Sequence, residues 1–316
     1  SNQGLNWAQA EVPFSDQDPN LLFLGNSYVN SNNLAELTRN LLEAGIPQWD
    51  GLVNIKRRDP AGERFTGHLA TIQDTTIMST INNSNKNEVQ QWLKKSSKHH
   101  DPIPFQWIIL QEQSQIPGFY DLGHGRGGTL YEESLEAAKE LNRIAVENGA
   151  QTLFMMTWGR RQGDHERNAQ LYPDFKTMQR YLAEGYIRYV KATSTEDRPT
   201  FVAPVGLVFE TIYNDLLDAG IEHPSHPGSL FHDLYRGDGS HPSLAGSYAA
   251  ALTIYTTITG KNPKEVVWFP PTLDQEICAV IQDAVSRTIM QTYEEQSIEY
   301  PWDYPWPNFD TMASEL

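Results

Sequence analysis

One hydroxyl, one imidazole and one carboxylate in this sequence have the types and spacing needed for nucleophilic chemistry. Ser27 follows the short apolar run Leu21-Leu22-Phe23-Leu24 and the pair Gly25-Asn26. A serine at such a turn has its hydroxyl exposed above a sheet edge, with backbone N–H groups aimed at negative charge developing beside it. Taken alone, a serine after asparagine serves equally well as a helix cap. Late in the chain, Gly237-Asp238-Gly239-Ser240-His241-Pro242 stands immediately before a helix-forming run. A spacing of three lets one loop deliver Asp238 and His241 to the same cleft. Imidazole accepts a serine proton near neutral pH and returns it to a leaving group. The carboxylate then holds the ring in its productive tautomer or supports the site electrostatically. The competing reading is that Asp238 and Ser243 only steady the helix that follows.

A nucleophile of this kind also needs donors for an oxyanion. Leu110-Gln111-Glu112-Gln113-Ser114 places polar residues directly after a buried-looking strand, and a side-chain amide there can donate without being charged. Gly62, in a loop after the second strand, offers a backbone N–H from the other side. Trp158, in Thr157-Trp158-Gly159-Arg160-Arg161, is placed to line a cleft, and simple packing beneath the loop is its bland alternative. Arg160, Arg161 or Arg126 could meet an acidic substrate, against surface solvation for each.

The elements that must position these groups can be read from apolar periodicity. Strands are expected at 21–24, 52–55, 107–110, 151–156 and 201–204, each short and bounded by turn residues. Helices are expected from Leu34 to Leu42 with Gly45 at the C-terminal cap, from about His68, and from a capping box at Thr129-Leu130-Tyr131-Glu132 to about Asn148-Gly149. Others run from Pro173, in the first turn, to about Lys191, from Val205 to Leu217, from Ser243 to Thr259, and from Thr272 to Tyr293. The glycine-rich stretch 115–128 reads as a loop. Strands alternating with helices imply an α/β fold, a parallel sheet covered on both faces, because each right-handed crossover buries one face. In such a sheet the site lies beyond the carboxyl ends of the strands.

In block order the pattern resembles the SGNH hydrolase superfamily. Leu22-Phe23-Leu24-Gly25-Asn26-Ser27-Tyr28 resembles its GNS-type first block, and Asp238-Gly239-Ser240-His241-Pro242 its DxxH final block. Gln111-Glu112-Gln113-Ser114 is similar to an LQEQS variant of the block that usually reads GxND. The resemblance covers roughly residues 20 to 260. It implies a three-layer α/β/α sandwich with a mainly five-stranded parallel sheet, flavodoxin-like, in one domain spanning 1–316, with a C-terminal helix and aromatic tail at about 270–316 packing on the core. It implies a serine esterase with Ser27 as nucleophile, His241 as base and Asp238 as its orienting acid. The oxyanion donors would be the Ser27 backbone, the Gly62 backbone with Gly67 as rival, and Gln113 in place of the usual asparagine. Glutamine is one methylene longer, so Gln111 is the alternative donor. Gln111, Glu112, Trp158 and Arg160 are candidate substrate contacts. The implied substrate is a short-chain O-acyl ester, O-acetyl foremost, of a carbohydrate or other polar alcohol, in keeping with the lack of an apolar lid motif.

Composition narrows the partners. Forty acidic against 24 basic residues give a net charge of −16, which repels nucleic acid and anionic membrane surfaces. There is no run of 18 apolar residues to span a membrane. The one cysteine, Cys278, forms no intrachain disulfide and requires no oxidising compartment. The opening residues carry no targeting pattern, so the sequence reads as intracellular or as already trimmed; Asn82-Asn83-Ser84 is a possible glycosylation triplet that identifies no compartment. Ester hydrolysis by this scheme needs no metal or redox cofactor, and the first turn lacks a dinucleotide fingerprint. Two rivals remain. His223, His226, His232 and His241 with Asp233 and Asp238 invite a metal-dependent hydrolase on the loop 223–241, although the spacing is irregular. A non-catalytic carbohydrate-binding protein on the same fold would use Trp158, with Trp7 and Trp268 less placeable.

Overall fold

The computed structural model describes residues 19–58, 105–123, 125–195 and 198–290. Gly62, Gly67, the helix expected from His68, the triplet at Asn82, Trp7 and the aromatic tail Tyr300 to Pro307 lie outside the described residues.

The strands are β1 Asn20–Leu24, β2 Asn54–Arg58, β3 Trp107–Leu110, β4 Gln151–Met155 and β5 Phe201–Ala203. They lie in the order β2-β1-β3-β4-β5, and every neighbouring pair is parallel. The helices are α1 Ser27–Asn30, α2 Leu34–Gly45, α3 Arg126–Glu147, α4 Phe175–Thr193, α5 Val205–Asp218, α6 Leu230–Asp233, α7 Leu244–Thr259 and α8 Gln275–Met290. Alternate strand residues divide between two cores. Leu21, Phe23, Trp107, Ile109, Leu153, Met155 and Phe201 meet α2, α5, α7 and α8 on one face. Leu22, Leu24, Ile108, Leu110, Phe154 and Val202 meet α3 and α4 on the other. This is an α/β/α arrangement, and burial on both faces explains why β1, β3, β4 and β5 read as short apolar runs. After β2 the chain crosses back to the far side of β1 and enters β3. The strand order therefore reverses between β1 and β3, where the carboxyl ends of parallel strands open a crevice.

Local details differ from the sequence expectation in instructive ways. α3 begins at Arg126, a turn before the expected capping box, with Gly125 as an N-cap that makes no side-chain cap bond. The residues 116–119, expected in a loop, form a 3₁₀ turn. Pro173 precedes α4 rather than opening it, because the Asp174 side chain accepts from the Thr177 N–H and fixes the cap one residue later. α8 begins at Gln275, three residues after the expected start. β2 runs to Arg58, so Lys56 and Arg57, expected in the loop beyond it, continue the strand. Among the described residues no helix is long and apolar enough to cross a membrane.

Gly45 is a further correction. It is the last residue of α2, not a left-handed cap, and a Cβ placed on it would lie 2.2 Å from the Tyr255 hydroxyl of α7. Tyr255 is buried, so it has little room to withdraw. An ordinary helical Gly→Ala change stabilises by roughly 0.5–1 kcal/mol. Here close approach decides the sign: Gly45→Ala is expected to destabilise by about 1–3 kcal/mol, the usual cost of overpacking. Urea unfolding would show a lowered midpoint at unchanged slope; a raised midpoint would refute the close-contact account.

Candidate active site

Ser27, Gln111 and Trp158 all lie just beyond the carboxyl ends of strands, and Ser27 and Gln111 flank the crevice between β1 and β3. The turn into α1 is tight because Gln111 occupies the space beside it. A Cβ on Gly25 would come within 2.6 Å of Gln111 Oε1, so only glycine lets the chain pass. Gln111 Oε1 accepts from the Asn26 N–H at 3.0 Å, and the Asn26 side chain accepts from the Tyr28 N–H at 2.9 Å. Asn26 is therefore the cap of α1, and Ser27 is left exposed with its hydroxyl free to meet another group.

That group is His241. Ser27 Oγ lies 2.9 Å from His241 Nε2, and His241 Nδ1 lies 2.6 Å from Asp238 Oδ2. Asp238 Oδ1 also accepts from the backbone N–H groups of Ser240 and His241, each at 2.9 Å. The loop is shaped for this delivery. Tyr235 and Pro242 form an antiparallel bridge, Arg236 N donates to His241 O at 2.8 Å, and Gly239 turns the chain with φ +66°. The capping role considered for this segment falls to Ser243, whose hydroxyl accepts from the Gly246 N–H at the start of α7. Asp238 is committed instead to the loop and the imidazole.

Beneath the pair lies an aromatic stack. The Tyr28 ring packs face to face on Trp158 at 4.7 Å, Trp158 on Phe209 at 4.9 Å, and the edge of His241 meets Tyr28 at 5.5 Å. Tyr28 OH shares a hydrogen with Ser240 Oγ at 2.7 Å, and Trp158 Nε1 donates to Ser240 O at 3.0 Å. Burial raises the Tyr28 phenol above its ordinary pKa, so it remains neutral. Trp158 is fully buried, which corrects its expected place on the cleft wall: it supports the site from below. Trp268 is half-buried and packs against the core.

The QEQS segment is largely spent inside the protein. Gln111 and Glu112 are buried and Gln113 is half-buried. Gln111 Nε2 donates to Glu112 O. Glu112 accepts from the Gln113 N–H at 2.6 Å and from the Ser134 hydroxyl, and its own N–H donates to Tyr186 OH at 3.2 Å. Gln113 Nε2 donates to Gln115 Oε1 at 2.8 Å; Gln115 in turn donates to the buried Asp164 at 2.5 Å, which pairs with Arg160 at 2.6 Å. Arg160 is thereby tied to an internal carboxylate. Arg161 instead holds the His241 loop, its backbone N–H donating to Gly239 O at 2.8 Å. Sequence reasoning missed Tyr28, Asn32 and Arg161 as loop anchors. Asn32 adopts a left-handed conformation and donates to Pro242 O and to Ser247 Oγ, and the asparagine pair at 32–33 was the available signal.

For the metal reading, no group of three His, Cys, Asp or Glu side chains among the described residues is arranged to hold a metal ion. His241 faces Ser27, while His232 pairs with Asp233 at 2.8 Å.

Burial alone would raise the Asp238 carboxyl, but donation from the Ser240 and His241 backbone and the contact with the imidazole outweigh it and hold the group below its ordinary value of 3.8. A depressed folded-state pKa means that Asp238 contributes stability above the unfolded value and loses it as pH falls through the folded one. Carboxyl-carbon NMR titration is expected to give Asp238 a midpoint below 3.8, with the His241 contact intact throughout weakly acidic pH. A midpoint above that value would contradict the hydrogen bonding described.

No family model matches the chain, and no curated protein resembles it closely enough in sequence to count as a relative. Among solved structures, the chain is similar to a DUF4886 family protein from Bacteroides uniformis, at 18% identity over 89% of this chain and 97% of that one, with a TM-score of 0.58. It overlaps more loosely with a protein of Slackia heliotrinireducens provisionally assigned as an SGNH hydrolase, at 22% identity over 76% and 98% of the two chains, TM-score 0.48. A provisionally assigned GDSL-like lipase of Parabacteroides merdae gives 16%, 77% and 96%, TM-score 0.46. At such identity the Bacteroides match establishes a shared fold and leaves the chemistry to be argued from the residues.

Proposed function

We propose that the chain is a serine esterase of the SGNH type, hydrolysing short-chain O-acyl esters, O-acetyl foremost, of a carbohydrate or other polar alcohol. The observation that carries this reading is the unbroken series from an exposed Ser27 hydroxyl through His241 to Asp238, at 2.9 and 2.6 Å. In the proposed reaction Ser27 Oγ attacks the ester carbonyl carbon while its proton passes to His241 Nε2. Asp238 keeps the other ring nitrogen protonated and stabilises the imidazolium. Collapse of the tetrahedral intermediate breaks the bond to the alcohol, which leaves with the proton from His241. Water, deprotonated by the same nitrogen, then releases the acid from the acyl-serine.

The oxyanion is assigned to the Ser27 backbone N–H, with Gly62 and Gln113 as the further expected donors. Gln113 would have to release Gln115 to serve. The carbohydrate-binding alternative loses its expected platform, since Trp158 is buried. Ser27 and Asp238 are exposed and His241 partly so, an open setting that suits a short acyl group better than a long chain.

A serine-reactive phosphonate is expected to label the protein once, at Ser27. Aryl acetate turnover should fall on the order of 10⁴-fold in Asp238→Asn and further in Ser27→Ala. Acetyl esters should be cleaved faster than butyryl and octanoyl ones. Absence of both labelling and turnover would reject the esterase, whereas preference for octanoyl would reject only the short-acyl assignment.

A further inference from the structure

His165, His223 and His226 line a cavity of about 370 Å³ that the reaction above does not use, together with Arg161, Phe175 and Tyr213. Its volume is that of a small-ligand pocket. Its charge is out of character with a chain of net −16: one guanidinium and three imidazoles surround it, against a single carboxylate, Asp174. That carboxylate is already engaged. It caps α4 through the Thr177 N–H at 2.7 Å and accepts from the Thr177 hydroxyl at 2.9 Å.

The cationic groups are less committed. The Arg161 guanidinium reaches the carbonyls of His232, Arg236 and Gly237 only at 3.5 Å, the outer edge of hydrogen bonding, so its donors can turn toward a ligand. The His223 and His226 rings lie 4.8 Å apart, a separation at which two imidazolium charges repel unless an anion sits beside them. Tyr213 is half-buried, backed by the buried Phe175, and gives the cavity an aromatic wall suited to a ring face.

We propose that this cavity binds an anionic sugar ring, carrying a carboxylate or a phosphate, with Arg161 and the three histidines meeting the anion and Tyr213 meeting the ring. The site shares a wall with the loop that carries Asp238 and His241, because the Arg161 N–H donates to Gly239 O and Ser225 Oγ donates to Arg161 O at 2.7 Å. The titratable groups facing the ligand are Arg161, His165, Asp174, Tyr213, His223 and His226. Burial and the nearby Asp174 keep the Tyr213 phenol protonated.

Isothermal titration of the full chain at neutral pH with glucuronate, glucose 6-phosphate and glucose tests this directly. At least one anionic sugar is expected to bind at a ratio of one, about tenfold or more tighter than glucose. The stronger of the two anions identifies the charged group. The double variant His223→Ala/His226→Ala, which should melt as cooperatively as the parent, is expected to weaken binding by about tenfold or more, and Ser27→Ala to leave it unchanged. The proposal is overturned if glucose binds as tightly, if neither anion binds at about 10 mM, or if Ser27→Ala abolishes binding. Since binding is measured without turnover, its failure and a failure of phosphonate labelling at Ser27 are separate results.

Discussion

A phenol and an indole hold the two ends of the candidate site together. Ser27 and His241 stand 214 positions apart in the chain, yet each adjoins a residue of one buried clamp. Tyr28, next to Ser27, reaches Ser240 Oγ, and Trp158, stacked on Tyr28, donates to Ser240 O, next to His241. Both polar tips lie in the protein interior, where a donor left unmatched costs free energy, so their hydrogen bonds select one relative placement of the two loops. Each stacked aromatic pair adds about 0.5–1.5 kcal/mol beyond burial, and Phe209 extends the stack into α5. The spacing between hydroxyl and imidazole is thus a property of the core, not of either loop alone.

A second set of bonds fixes the direction in which Ser27 faces. The Ser31 hydroxyl returns to Ser27 O at 2.8 Å, and the left-handed Asn32 carries the chain from α1 into α2 while reaching across to Pro242 and Ser247. The start of α7 is therefore bonded to the turn after β1 on the same side that presents His241. Topology supplies the remainder. Because the strand order reverses between β1 and β3, the connections leave those two strands in opposite directions, and the clamp forms the floor of the crevice that this reversal opens.

β1, β3, β4 and β5 were legible in the sequence because burial on both faces gives short apolar runs bounded by turn residues, as at Trp107 to Leu110 and Phe201 to Ala203, whereas the edge strand β2 ends in Lys56-Arg57-Arg58 and was only half legible. Ser27, Asp238 and His241 were legible as candidates for a different reason: each lies in a short polar segment at the edge of an element, where local chemistry shows. What could not be read was side-chain direction. Trp158 follows a strand exactly as a cleft residue would, but the space between Tyr28 and Phe209 draws it inward. Gly45 ends a helix as a cap would, but Tyr255 of a distant helix needs the room. Both outcomes depend on which surfaces meet in three dimensions, information that a local window does not hold.

The QEQS segment sets a quantitative limit on how an oxyanion is held under the proposed mechanism. Gln113 donates to Gln115 Oε1 and accepts from the Gln115 N–H, and Gln115 continues to Asp164 and Arg160, so turning the Gln113 amide toward a reacting ester leaves a donor and an acceptor of Gln115 unmatched. An unsatisfied buried acceptor costs about 1–3 kcal/mol. A well-placed oxyanion donor contributes about 2.7–4 kcal/mol. With two groups left unmatched the cost, about 2–6 kcal/mol, consumes the gain, so donation from Gln113 brings no net advantage. A backbone N–H already directed at the site carries no such cost. Under the proposed mechanism the Ser27 amide is the donor that needs no such rearrangement, and Gln111, which accepts from the Asn26 N–H, shapes the turn that carries it.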